Sequence, residues 1–173
     1  MSDVMIMFQD EARFGRINSP HKCWVKGKRP CVYSQMVREY TYVYGAVCPF
    51  DGTMDSLIMP CVDSVSMSIF LEEVGKRHPD KMIFMFLDQA SWHKANELKI
   101  PENMRIFYLP PYSPELNPVE HIWEELKEKW FYNYTFDSLN AVEDQLMKGI
   151  PDLENNQSRV KSITAFDWIV SII

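Results

Sequence analysis

Three acidic residues stand where a chain of this kind can aim side chains at one place. Asp10 follows the apolar run Val4 to Phe8, Asp88 follows the run Met82 to Leu87, and Glu120 lies just inside a helix start beyond a third such run, Met104 to Leu109. Singly, each has an ordinary explanation. An acid at a strand end serves as a turn or N-cap residue, and Asn117 with Glu120 has the spacing of a capping box, in which the carboxylate bonds the cap amide. Together they point to different chemistry. Carboxylates brought within a few ångström repel and partly protonate unless a divalent cation lies among them. Oxygen-only ligands select Mg or Mn over zinc. Two such ions roughly 3.5 to 4 Å apart activate a water or a 3′-hydroxyl and stabilise the leaving oxygen of an in-line phosphodiester displacement.

Positioning these acids requires strands and a rigid loop. Val4 to Phe8 is too short for a helix and reads as a strand buried on both faces; Lys81 to Leu87 repeats its pattern, and Met104 to Leu109 is a third strand. The segment Glu11 to Glu39, punctuated by Gly15, Pro20, Gly27 and Pro30, reads as a long irregular excursion of the kind that carries function. Tyr40 to Val47 and Leu57 to Val62 form a hairpin across Pro49-Phe50-Asp51-Gly52. Ser64 to Arg77 has helical spacing and ends near Gly75 and Pro79, and Ser91 to Leu98 is a short helix. Pro110, Pro111, Pro114 and Pro118 stiffen the approach to the next helix. There Asn117 is the expected N-cap and Pro118 the first helical residue. Val119, Ile122, Trp123, Leu126 and Trp130 form its apolar stripe, with Glu120 at the stripe's edge. Core packing is also the expected role of Phe131, Tyr132 and Tyr134. Leu139 to Met147 and Ser158 to Ile172 are two further helices. This order predicts an α/β sheet in which the Val4, Lys81 and Met104 strands are parallel, with a ligand site beyond their carboxyl ends.

A length of 173 residues with 46% hydrophobic content suits one well-packed domain. No secretory signal pattern opens at Met1 and no apolar run approaches a membrane span, so a soluble, cytoplasmic protein without a membrane partner is expected. Cys23, Cys31, Cys48 and Cys61 match no metal-knuckle spacing and are expected to be reduced, small apolar residues. The net charge of -6 argues against a nucleic-acid partner, but its distribution points the other way. From Glu11 to Arg38 there are seven basic residues and one acid, whereas from Ser113 to Gln157 there are ten acids and three lysines. The basic run is either a solvated face or a phosphate-contacting arm.

FQDEARFG around Asp10, FLDQASWH around Asp88 and LPPYSPELNPVEHIWEELK around Glu120 resemble the three catalytic blocks of DDE transposases, in the bacterial insertion-sequence branch of the mariner superfamily. The similarity covers nearly the whole chain. Thirty-one residues separate Asp88 from Glu120, slightly fewer than usual for that family. The resemblance implies an α/β, RNase H-like (retroviral-integrase-like) mixed sheet flanked by helices, spanning residues 1–173 as one catalytic domain. It implies DNA cleavage and strand transfer with two Mg or Mn ions held by Asp10, Asp88 and Glu120, acting on double-stranded transposon ends and TA-containing targets. His93 matches the histidine that commonly follows the second aspartate, as an auxiliary; a satisfied structural histidine is the alternative. Trp24, Gly27 and Arg29-Pro30 resemble a family loop that contacts DNA or another subunit, so Arg13, Lys22, Trp24, Lys26, Lys28 and Arg29 are candidate DNA contacts; Trp24 serves equally as a core anchor. A homodimer is implied because two ends are processed together, with action at the bacterial nucleoid. Full-length relatives carry N-terminal helix-turn-helix modules, and the chain begins at the first catalytic strand, so a separate N-terminal DNA-binding half is expected. Two other readings stay open: a catalytically silent remnant that regulates by binding DNA or a subunit, and an RNase H-like nuclease without strand transfer.

Overall fold

A computed structural model describes residues 3–18, 20–28, 30–94 and 97–171. Five strands, β1 (Val4–Ile17), β2 (Met36–Val47), β3 (Met54–Met59), β4 (Met82–Leu87) and β5 (Met104–Tyr108), form one sheet in the order β3-β2-β1-β4-β5. β1, β4 and β5 run parallel and β2 and β3 antiparallel to their neighbours, as the element order predicted. The helices are α1 (Ser64–Arg77), α2 (Val119–Trp130), α3 (Leu139–Glu154), α4 (Gln157–Thr164) and α5 (Asp167–Val170), with short 3-10 turns at Ser91–Lys94 and Pro114–Leu116.

Side-chain alternation divides the core between the two faces of the sheet. Met5 and Met7 of β1 join Tyr44, Ile83, Met85 and Leu87 beneath α1. Phe8, Ala12 and Phe14 face the other way and pack with Val119, Ile122, Trp123 and Leu126 of α2 and with Val142 and Leu146 of α3. At Gly149 a Cβ would lie 2.8 Å from Leu126 Cδ1, so glycine lets α3 approach α2 closely.

Several boundaries differ from those expected. β1 does not stop at Phe8: it continues to Ile17 because β2 extends it in antiparallel register, Ala12 against Val43 and Gly15 against Tyr40. The irregular excursion therefore shrinks to residues 18–35. Its base is clamped, with Asn18 and Gln35 hydrogen-bonded to each other and Gln35 exchanging bonds with the Phe136 backbone. α3 runs past Met147 and carries Pro151 inside its last turns, because Ile150 and Leu153 continue its buried stripe. The Ser158 to Ile172 segment breaks at Ala165 and Phe166 into α4 and α5. The expected Ser91 to Leu98 helix is a single 3-10 turn, and Ala95 and Asn96 lie outside the described residues. Trp24 is fully exposed and anchors no core. Of the aromatic cluster, Trp123 is buried and Trp130 and Phe131 pack against the core, while Tyr134 is exposed. Cys48 alone behaves as a buried apolar residue; Cys23, Cys31 and Cys61 are exposed free thiols. Among the described residues no helix is long and apolar enough to cross a membrane.

Candidate active site

From Val4 to Phe8, β1 is flanked by β4, but Phe8 against Phe86 is the last pair of that ladder. Beyond it only β2 accompanies β1, so one side of the strand opens into a cleft. Asp10 lies two residues past Phe8 and Asp88 two past Phe86. Asp10 is thus within a strand and not, as its sequence context suggested, immediately after one. The cleft, about 440 Å³, is lined by Asp10, Asp88 and Glu120, with Leu109 to Pro114 and Asn117 as its other wall.

The loop that delivers Glu120 is held by its own turn chemistry. Pro114–Leu116 forms a 3-10 turn whose closing bond runs from the Asn117 amide to the Pro114 carbonyl, 2.9 Å. That amide is the one a capping box would offer to Glu120, so the carboxylate is not spent there. Asn117 is buried; its Oδ1 accepts from the Val119 amide at 3.2 Å and its Nδ2 donates to the Gln9 carbonyl at 2.9 Å. The helix start is therefore pinned to β1 beside Asp10. Tyr112, at the rim, is fully exposed and held at φ 57°, a left-handed conformation uncommon for a residue with a side chain.

Each aspartate is gripped by an N–H. Trp123 Nε1 donates to Asp10 Oδ2 at 2.9 Å. Burial, then the negative charges of Glu120 and Glu11, push the Asp10 carboxyl up to about 8, against the Trp123 and Glu11 amide bonds that favour ionisation. His93 Nδ1 stands 2.7 Å from Asp88 Oδ1, and its Nε2 stands 2.9 Å from Glu11 Oε1. Burial alone would depress the imidazole, but Asp88 and Glu11 hold it protonated, up to about 9. The bond from His93 in turn holds Asp88 below the ordinary carboxylate range despite its partial burial, with the Ala90 amide adding to the effect. His93 is thus a buried, satisfied histidine that is also attached to the site.

The donor set fits a hard divalent cation: three carboxylates on one cleft, with Asp10 raised partly by its neighbour Glu120, a crowding of like charge that a cation relieves. The acids line the walls and do not close on a point. Among the described residues, no three His, Cys, Asp or Glu side chains form a group able to enclose an ion.

Of the candidate DNA contacts, Arg13 stands on β1, three residues beyond Asp10. It lines a second cleft of about 370 Å³ with His21, Tyr40, Lys127 and Tyr132, and its guanidinium sits 4.4 Å over the Tyr40 ring. Lys22 and Trp24 line a separate groove on the 18–35 arm. Lys26 and Lys28 are exposed on that arm, and Arg29 lies outside the described residues. Sequence reasoning missed Glu11, whose neighbour Asp10 drew attention to the opposite face of β1. It also took Trp123 for packing alone: helical periodicity gives a residue's burial but not the direction of its N–H.

A family model described as DDE superfamily endonuclease matches residues 5–143. An uncharacterized protein of Sinorhizobium fredii, y4pE/y4sA, is 34% identical over 130 residues, 75% of this chain and 96% of that protein. The Mos1 Strand Transfer Complex matches with a TM-score of 0.59 at 16% identity, over 94% of this chain and 55% of that one. The Mos1 mariner paired end complex with Mn matches at 0.60 and 17%, over 94% and 56%. The chain therefore spans little more than half the length of the Mos1 chains. At such identities the likeness establishes the fold, the RNase H-like mixed sheet flanked by helices that the motif blocks implied.

Proposed function

The chain belongs to the DDE superfamily of endonucleases, and from that membership we propose that it is the catalytic part of a transposase, cleaving DNA strands and joining them to a target. The observation that carries this reading is the meeting of Asp10, Asp88 and Glu120 on one cleft, although they come from a strand, the loop after a second strand and a helix far apart in sequence. These three would hold one or two Mg or Mn ions, which when bound supply an activated oxygen nucleophile and stabilise the leaving oxygen. The chain's own residues do the rest. Trp123 and His93 orient the two aspartates, and the proline-rich wall sets the position of Glu120. The Arg13 and Lys127 cleft takes the flanking strand. Lys127 is two helical turns from Glu120, about 10.5 Å, which matches roughly three nucleotides of duplex rise. The 18–35 arm adds basic contacts, and the exposed Tyr112 ring at the cleft mouth stacks on a base. Action on TA-containing targets, as a homodimer and with a DNA-binding half supplied separately, belongs to the same proposal.

The test is Mg- or Mn-dependent nicking of DNA carrying the element's ends, with the DNA-binding half supplied. Asp88→Asn should abolish it, and unchanged cleavage would overturn the assignment. One observation favours the silent-remnant reading: Asp88 Oδ1 is engaged by His93. Calorimetry with Mn decides between them, since a remnant binds no Mn or binds it equally after Glu120→Gln. An RNase H-like hydrolase would instead prefer an RNA–DNA hybrid.

A further inference from the structure

Resting on the metal-site reading above, we propose that Trp123 is a positioning residue for that site, and that Gly45 exists to let it act. Asp10 and Gly45 are directly opposed across the β1–β2 ladder. Because Gly45 has no side chain, the Trp123 ring can lie over it. A Cβ there would fall 2.5 Å from Trp123 Cη2 and 3.0 Å from Cζ2, far inside contact distance. The vacated space brings the six-membered end of the indole down onto the sheet, and Nε1 then meets Asp10 Oδ2 at 2.9 Å. The ring is 2% exposed and closed in by Phe14, edge-on at 6.4 Å, so it has no other place to go.

Packing alone does not require this bond. Trp130, two turns further along the same helix, buries an indole N–H that finds no partner among the described residues. Trp123 therefore does more than fill volume: its donor fixes one oxygen of Asp10. Asp10 loses its freedom to rotate, and the face it turns to the cleft is set before any cation arrives. Removing an outer partner of a metal ligand typically weakens metal affinity 10- to 100-fold.

The test uses Trp123→Phe, which keeps an aromatic ring and removes the donor, and Gly45→Ala, which pushes the ring from the other side. Calorimetry with Mn should show affinity weakened about 10-fold or more in each, with half-maximal cleavage moved to correspondingly higher Mn and the KM for DNA unchanged. Asp10→Asn serves as the control: if it leaves Mn binding intact, the metal-site reading fails; if it abolishes binding while Trp123→Phe stays within twofold of wild type, only the role of Trp123 fails. Should either variant not fold, NMR on chains that keep Trp123 and Gly45 decides without them. The Trp123 indole proton should be protected from exchange and should lose protection in Asp10→Ala; an unaltered signal overturns the inference.

Discussion

Asp10 and Asp88 each lie two residues beyond Phe8 and Phe86, the last pair of the parallel ladder, Asp10 still within β1 and Asp88 just past the end of β4. Their relation depends on register. A slip of one residue between β1 and β4 would turn one carboxylate to the opposite face of the sheet, and the Phe8–Phe86 ring stack at 5.1 Å helps hold the register.

Asp10 should limit stability as well as serve the site. Its folded pKa is raised from 3.8 to about 8, so as pH rises the unfolded chain ionises first and stability falls across that window. Asp10→Asn cannot ionise, yet its amide oxygen still accepts from Trp123. In EDTA at pH 8 the variant should be more stable than wild type by on the order of 1 to 3 kcal/mol. The gap should close toward pH 4. Equal melting temperatures at pH 8 would contradict this.

The charge bridge through His93 gives the opposite group the same direction with pH. A histidine raised from 6.5 to about 9 contributes stability fully below pH 6.5, and loses it as pH rises through 9. His93→Ala leaves the buried Glu11 carboxylate without its cation, held only by the bond from Gln9 Nε2, and should cost about 3 to 5 kcal/mol. Adding Glu11→Gln should recover part of that loss, which urea titrations of the single and double variants at pH 6 would measure.

Asp55 predicts an acid-side transition remote from the cleft. Burial alone would raise its pKa, but His78 Nε2 at 2.6 Å and Arg77 Nη1 at 3.0 Å hold it below 3.8. A depressed acid contributes stability above its unfolded value, and that contribution is lost as pH falls through the folded value. Asp55→Asn should therefore flatten the loss of melting temperature below pH 4 while lowering stability at pH 7.

Tyr112 separates strain from function. Tyr112→Gly relieves a left-handed backbone and should leave stability unchanged or raise it by up to about 1 kcal/mol. DNA affinity should drop by about 1 to 3 kcal/mol, the worth of one stacked base. Fluorescence anisotropy beside thermal melting reads both, and unaltered affinity would remove Tyr112 from the DNA path.

What the sequence by itself determined follows from local rules: apolar runs and helical periodicity placed all five strands, β3 three residues too far along, and the main helices, and three motif blocks singled out the acids. The tertiary structure alone decided what depends on pairing across the chain. β1 runs on to Ile17 because β2 supplies its hydrogen bonds. Asn117 serves β1 as well as α2, and Glu11 reaches a histidine 82 positions away on the face opposite Asp10. Gly45 makes room for the ring that holds Asp10. None of these has a local signal, because a hydrogen bond's direction and a glycine's empty space acquire meaning only when another segment arrives to use them.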